Sequence, residues 1–408
     1  MDALPKTITF IGLNFFPEDS AIGLYSTQWA EYLSQAGYEV SIVTAFPYYP
    51  QWEIAPAYQG KKSFLKESYK GMTVYRYKQY TPKQPTFLKR VWHIIDFTFG
   101  SFRNLRKIDQ CDLVISIIPF TSSAFLGNWH RRKHRAKHWV HIQDFEFDAA
   151  FQSGLVQQKS TKKSLPHRLL SQLERSILDR ADRVSTISHT MVAKLKQKTA
   201  SDTYLLPNWI DASAIDPETS KPHPYASEEK FTLLYSGNIG DKQDWAFFEQ
   251  FISKVDWSKY NMVLVGDGAR RKDVEAMIAP YSEITWYPPV PYETLSDLLC
   301  SADAHFLFQK PEVRDSVMPS KILGMMASAK PSVITGHPES EVRTSMNDAN
   351  GGFYISENDI TATLQAFDTL YNDSEKATQM GAQARQYVIQ HFSKEAILQK
   401  ATKALLEL

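Results

Sequence analysis

Phe231–Lys242 reads FTLLYSGNIGDK. The apolar run Phe231 to Tyr235 predicts a buried strand, which breaks into a turn holding Gly237, Asn238 and Gly240 before a helix predicted over Trp245 to Val255. Asn261 to Val265 predicts a second strand, and it too runs into glycine, as Gly266-Asp267-Gly268. Strand, glycine turn and helix in succession are the signature of parallel strands joined by crossover helices, an α/β design. Glycine at the carboxyl end of such a strand lets the backbone approach a phosphate, and Lys242 adds a point charge. One such turn is commonly turn geometry alone; two in one domain point to an anion site.

Downstream, Ile284 to Tyr287 predicts a strand followed by Pro288, Pro289, Val290 and Pro291, a helix over Tyr292 to Cys300, and a strand over Ala304 to Phe308. Then comes Ser316–Val333, SVMPSKILGMMASAKPSV. Pro319 suits the first turn of a helix, Ser320 can serve its end, and Lys321 stands beside the free N–H groups there. That is a place for a diphosphate, although the same residues would suit an ordinary buried helix with a solvated lysine. Helices are predicted over Ser374 to Phe392 and Lys394 to Leu406.

Upstream, four prolines and no periodicity in Pro207 to Ser227 predict an interdomain linker. The first half repeats the αβ alternation: a strand over Thr7 to Leu13, a helix over Leu24 to Ala36 with Gly23 at its start, and a strand over Glu39 to Thr44. Ala45 to Gln59 is a proline-broken loop rich in tyrosine and tryptophan, a good wall for sugars or apolar groups and equally good packing for its own domain. Cys111 to Ile118 and His138 to Ile142 predict buried strands, and the second ends in HIQDFEFD. His141, Asp144 and Glu146 there are candidates for acid–base or electrostatic work. Phe87 to Arg106 is an aromatic, basic amphipathic helix that could lie on a membrane or simply face the core. WHRRKHRAKH, Trp129 to His138, predicts a basic helix end before the next strand.

The 408 residues suffice for two domains, and a net charge of +1 supplies no field for nucleic acid. Two distant cysteines, Cys111 and Cys300, favour a reducing compartment. The first apolar run reads as a strand and not as a signal peptide, and no run approaches the length of a membrane span.

Taken in order, NFFPEDSAIGLYS, WVHIQDFEFDAAF, LLPNWID, LLYSGNIGDKQ, LVGDG and VMPSKILGMMASAKPSV resemble glycosyltransferase family 4, retaining enzymes of the GT-B fold, in particular bacterial exopolysaccharide transferases of the colanic-acid fucosyltransferase type. The resemblance implies an α/β fold of two Rossmann-like domains facing across a cleft. Residues 1–206 would form the acceptor domain and 207–387 the nucleotide-sugar domain, with a last helix at about 388–408 returning to the first. It implies transfer of a hexose from a GDP- or UDP-linked donor to a glycan or polyprenyl-linked acceptor, with retention and with no metal or other cofactor. The setting expected is the cytoplasm, at the inner face of the membrane, and it is the aromatic, basic helix itself that suggests peripheral contact through 87–106.

Carried over, Gly237, Asn238, Gly240, Lys242, Gly266 and Gly268 would lie at the donor diphosphate and Val290 at the base. Ser316, Val317, Met318, Pro319, Ser320 and Lys321 would meet the donor sugar and phosphates, and Gly23 would close from the first domain. The chain departs from the family where two glutamates are usual, holding Ser316 and Gly324, and where an arginine is usual, holding Asn238. It has Gln143-Asp144 in place of a His-Asp pair. An epimerase of the same fold and a non-catalytic partner of a polysaccharide assembly complex are the alternative readings.

Overall fold

The computed structural model describes residues 6–18, 21–49, 51–84, 86–146, 165–227, 229–312 and 320–408. The chain forms two compact units, Met1–Pro207 with Leu398–Leu408, and Asn208–Ile397.

In the first unit β1 (Thr7–Ile11), α1 (Ala21–Gln35), β2 (Glu39–Ala45), β3 (Phe64–Tyr69) and β4 (Met72–Tyr77) are followed by four helix–strand repeats. These are α2 (Phe87–Leu105) with β5 (Leu113–Ile118), α3 (Thr121–His134) with β6 (Lys137–Ile142), α4 (Leu165–Leu178) with β7 (Arg183–Thr186), and α5 (His189–Lys198) with β8 (Asp202–Leu205). The sheet order is β3-β4-β2-β1-β5-β6-β7-β8. Among the described strands of this sheet only the β3–β4 pair is antiparallel. Its turn is Lys70-Gly71, both at positive φ, the geometry that a two-residue hairpin requires. β5 is buried along its whole length, as a central parallel strand covered on both faces should be. The basic run Arg131–His134 forms the last turn of α3, where cations complement the helix dipole.

The second unit runs β9 (Phe231–Ser236), α6 (Trp245–Ile252), β10 (Tyr260–Val265), α7 (Arg271–Ile278), β11 (Ile284–Tyr287), α8 (Tyr292–Ser301), β12 (Ala304–Phe308), α9 (Ser320–Ala327) and β13 (Ser332–Gly336). It continues with α10 (Glu341–Ala349), β14 (Gly352–Ser356), α11 (Ile360–Asn372), α12 (Ser374–Phe392) and α13 (Lys394–Leu405). Its parallel sheet has the order β11-β10-β9-β12-β13-β14, over a core that includes Phe248, Phe251, Phe306 and Phe308.

Two sequence expectations need correction here. Pro207 to Ser227 is not a free linker: from Asn208 it belongs to the second unit, where Arg385 donates to the Ile215 carbonyl at 2.7 Å and the Asp216 amide donates to Ser296 Oγ at 3.0 Å. The return to the first unit begins at Leu398, not near 388. Phe392 and Lys394 stay with the second unit because their backbone bonds go to Ile210. Arg183 secures the returning segment: it lies over the Trp139 ring at 5.4 Å, pairs with Asp202 at 2.6 Å and donates to the Ala404 carbonyl.

Candidate functional site

In each sheet the strand order reverses once, between β9 and β12 in the second unit and between β1 and β5 in the first. At such a switch point the loops leaving neighbouring strands diverge, and a crevice opens at the carboxyl edge.

In the second unit β9 delivers Gly237 to that edge. Its φ of +147° is open to glycine, and a Cβ there would stand 3.1 Å from Lys321 Cδ and 3.3 Å from its Nζ. Lys321 arrives from the other side of the switch point, as the second residue of α9. Its ammonium lies 4.7 Å from the centre of the Tyr235 ring and donates to the Tyr235 hydroxyl at 3.3 Å. That hydroxyl donates in turn to the Asn238 carbonyl at 2.6 Å. Burial pushes the Tyr235 phenol well above its usual range, so it remains a donor.

Gly266 packs against this turn so closely that a Cβ would lie 1.9 Å from the Gly237 carbonyl oxygen, and one at Gly268 would lie 2.3 Å from that of Ile239. The glycines thus let two loops touch. Three amides of the turn are already used: Gly237 N–H donates to Val265 O, Ile239 N–H to Asp267 O and Gly240 N–H to Gln243 Oε1. Among the described residues no acceptor is seen for the N–H groups of Asn238, Asp241, Lys242 and Gln243 in this loop. The N-terminus of α6 is likewise occupied, by the Asp244 carboxylate, which accepts from Phe247 N at 3.0 Å. The positive element of this edge is therefore Lys321. Lys242 lies five residues beyond Gly237 with an exposed side chain, and its carbonyl accepts from Lys310 N–H. Val290, half-buried, packs against the core just past β11. Ser316, Val317, Met318 and Pro319 lie outside the described residues, and Ser320 opens α9.

The first unit gathers acids at its switch point. Glu18, in the loop after β1, is buried; its Oε1 accepts from the amides of Tyr48 at 2.7 Å and Tyr49 at 2.8 Å, and its Oε2 from Asn14 Nδ2 at 2.8 Å. Burial raises its pKa, against the lowering effect of those bonds and of Arg76. The carboxylate ties the aromatic loop after β2 to the loop after β1, and both line a cleft of about 510 Å³ with Tyr49, Gln51 and Glu53. Gly23, in the first turn of α1, gives this loop room, since a Cβ would stand 2.5 Å from the Glu18 carbonyl oxygen.

Glu146 Oε2 accepts from the Thr121 amide at 2.7 Å, at the N-terminus of α3, while burial raises its pKa. Asp144 is exposed. His141 does not join them. It lies within β6 and is buried, with Nδ1 2.9 Å from Ser185 Oγ and Nε2 3.0 Å from Gln143 Nε2. An amide nitrogen can only donate, so Nε2 accepts, Nδ1 carries the proton, and the ring is neutral, its pKa lowered to about 3 by burial. Asp148 lies outside the described residues.

The residues missed by sequence reasoning are Glu18 and Tyr235. An acid beside Pro17 in the first post-strand loop was a visible signal for Glu18; Tyr235 reads as one more apolar strand residue. Among the described residues no group of three or more His, Cys, Asp or Glu is arranged to hold a metal ion.

Residues 20–209 match the family model described as a glycosyl transferase 4-like domain, and residues 230–373 that described as glycosyl transferases group 1. WcaI of Escherichia coli (strain K12), provisionally named as a colanic acid biosynthesis glycosyl transferase, is 31% identical over 347 residues, 82% of this chain and 84% of WcaI. Sucrose-phosphate synthase from Thermosynechococcus elongatus superimposes with a TM-score of 0.74 at 16% identity, covering 98% of both chains. Anabaena Alr3699/HepE, solved with UDP-glucose, gives 0.67 at 12% identity, covering 98% of this chain and all of the other.

Proposed function

The chain belongs to glycosyltransferase family 4, with the GT-B fold, and we propose that it moves a sugar from a nucleotide diphosphate donor to a glycan acceptor in cell-surface polysaccharide biosynthesis. The observation that carries this reading is Lys321, held by Tyr235 against Gly237 at the switch point of the second unit. When a glycosidic bond to a diphosphate breaks, negative charge collects on the leaving group. A fixed ammonium in a half-buried crevice stabilises that charge more than water would. Asn238 N–H adds a donor, and Lys242 a second cation from the end of the same loop. Gly240, Gly266 and Gly268 shape the turn, and Val290 is placed to pack on the base. The donor is UDP- or GDP-linked; the UDP-glucose held by HepE supports the first.

In the first unit Glu146 and Asp144 are the candidates to orient or deprotonate the acceptor hydroxyl, with the sugar's configuration retained and with protein cations serving where other transferases use a metal. A carboxyl group whose pKa is raised holds and releases a proton nearer neutrality, which suits Glu146 to that task. The acceptor is a glycan or a polyprenyl-linked glycan, met at the cytoplasmic face of the membrane through peripheral contact by 87–106; the exposed apolar stripe of α2 supports this.

Calorimetric titration with UDP and GDP, followed by NMR of the product made from the sugar nucleotide that binds, tests the proposal. Saturable binding and a product keeping the donor's anomeric configuration are expected. No binding of either diphosphate would overturn it. A sugar rearranged on its own nucleotide without acceptor would instead identify an epimerase.

A further inference from the structure

The second unit has a cavity at the edge of its sheet opposite Lys321. Residues 208–227 open this unit and are pinned along α8: the Asp216 amide donates to Ser296 Oγ at 3.0 Å, the Lys221 amide to Asp297 Oδ1 at 2.9 Å and the His223 amide to Ser301 Oγ at 2.7 Å. Tyr225 then stacks on Tyr287 with ring centres 3.6 Å apart. Pro217, Pro222 and Pro224 have no N–H with which to continue a helix or a ladder. The segment leaves an open cavity of about 620 Å³ beside the end of α8.

Lys221, His223, Ser227, Cys300, Ser301 and Lys330 line it, with the three prolines and Ala226 between them. Ser227 stands before β9, Ser301 before β12 and Lys330 before β13, so the cavity lies at the amino ends of these parallel strands. Gly237 and Lys321 lie at the carboxyl ends of the same sheet. α9 separates the two edges, with Lys321 at its start and Lys330 three residues past its end.

The charge in this cavity is one-sided. Among the described residues no acid lines it, and neither lysine's ammonium has an acid partner. Lys221 is exposed and water can serve it, but Lys330 is half-buried, and an ammonium there loses hydration that no protein acceptor replaces. Helix ends attract lysines, yet both ends here are already served. Arg385 donates to the Ala327 carbonyl at the end of α9, and the Ser301 hydroxyl donates to the Asp297 carbonyl of α8 at 2.6 Å. His223 Nδ1 accepts from the Tyr225 amide at 3.3 Å, so its Nε2 carries a proton, and among the described residues that proton has no acceptor. Asp297, the acid these contacts bring close, is not part of the lining and holds the Lys221 amide.

We infer that this cavity binds a small organic phosphate, at a site separate from the donor edge. Two ammonium groups and an imidazole N–H, with no carboxylate beside them, call for an anion. A phosphate monoester brings close to two negative charges and three acceptor oxygens, enough to answer both lysines, whereas a carboxylate brings one charge and leaves a lysine unanswered. The volume exceeds what a bare phosphate fills, and the proline rings and Ala226 give an organic part an apolar wall. Such a ligand would bridge residues 221–227, α8 and the turn between α9 and β13, and so hold the opening segment of the second unit onto its sheet. Its site is at the other edge from Lys321, so the occupant is not the sugar donor. The inference does not depend on the donor chemistry, and its failure would leave diphosphate binding untouched.

The two cysteines give a local readout. Cys111 is buried, with its thiol pushed up to about 11 by burial, whereas Cys300 is half-buried in the cavity wall. In the native full chain N-ethylmaleimide should therefore label Cys300 and spare Cys111, as peptide masses will show. Glucose 1-phosphate should slow that labelling saturably, by at least about tenfold at the plateau. Methyl glucoside, which has no charge, should not slow it, and methyl glucuronide, which has a carboxylate, should slow it less. Lys221→Gln with Lys330→Gln should abolish the protection and leave labelling without ligand unchanged, while Lys321→Met should keep the protection. Melting curves check that the variants fold; if the pair melts early, Lys221→Gln alone, at an exposed position, should weaken the protection severalfold. Labelling that glucose 1-phosphate leaves unchanged would overturn the inference. So would protection that survives the lysine substitutions, that vanishes in Lys321→Met, or that methyl glucoside or methyl glucuronide gives equally.

Discussion

Replacing Lys321 with Met and Tyr235 with Phe, singly and together, probes the centre of the donor half. The Lys321 ammonium is half-buried and 3.3 Å from the Tyr235 oxygen. A unit charge about 4 Å from a phosphate oxygen is worth about 4 kcal/mol at the effective dielectric of a protein surface, before either ion's desolvation is subtracted. A net loss of about 2–3 kcal/mol for Lys321→Met, some 30- to 150-fold in kcat/KM, is expected. The tyrosine hydroxyl reaches the diphosphate only through the lysine, so Tyr235→Phe should lose about 1 kcal/mol, roughly fivefold, the net value of one neutral hydrogen bond. The double variant should then be no worse than Lys321→Met alone, leaving a coupling of about 1 kcal/mol. UDP or GDP release from the donor is the rate to follow. Urea unfolding separates the structural part, since the hydroxyl also donates to the Asn238 carbonyl whatever stands at 321. Strictly additive losses would refute the relay through Tyr235, and an unchanged rate in Lys321→Met would refute the diphosphate role.

Glu18→Ala strands three donors, the Tyr48 and Tyr49 amides and Asn14 Nδ2, and should cost about 3 kcal/mol in urea unfolding. Glu18→Gln keeps an acceptor for the two amides and should cost about 1 kcal/mol; equal losses in the two variants would contradict the clamp. His305 is buried and neutral, with Nε2 2.8 Å from Ser328 Oγ and a pKa lowered from 6.5 to about 3 by burial and the nearby Lys330. Its unfolded form takes a proton first as pH falls, so the stability it contributes is whole above about pH 6.5 and drains between there and pH 3. Compared with His305→Gln, the wild type should lose an extra ~1.4 kcal/mol per pH unit between about pH 4 and pH 6, read from urea midpoints. Parallel stability–pH curves would show that the ring is not held neutral.

Most of the parallel architecture was legible because buried parallel strands are written as short apolar runs and their turns as glycine. Phe231 to Tyr235 and Gly237 illustrate both halves of that rule. The β3–β4 hairpin was not legible in full: Phe64–Tyr69 carries lysine, glutamate and serine on an edge strand, with no apolar run to mark it. Strand order was invisible too, because apolar runs do not say which neighbour they pair with. That Val265, Asp267 and Gln243 close three amides of the glycine turn was not legible either, because such hydrogen bonds leave no mark in a local stretch of sequence. His141 misled for a related reason. Two to five residues separate it from Gln143, Asp144 and Glu146, yet it still belongs to β6, where its side chain enters the packed layer, while Asp144 and Glu146 have left the strand.

The two units show how one topology can carry opposite charge. Each presents the loop after its first strand at a switch point, and in each a side chain from beyond the sheet's central pair completes the edge. In the second unit that side chain is Lys321 of α9, set against a turn three of whose amides are taken. In the first it is Glu146, on the Thr121 amide, with Glu18 bracing the loops beside it. A departing diphosphate and an acceptor hydroxyl need opposite treatment, positive charge for one and a proton acceptor for the other. Under the proposed function the division of cation and acids between the units would serve that need, without the two glutamates that the family resemblance leads one to expect at Ser316 and Gly324. At Gly324 the local packing gives a reason. The position lies in α9, and a Cβ there would come within 3.3 Å of Leu299 Cδ1 and 3.5 Å of Ile215 Cδ1, so a larger side chain would press on these two core residues.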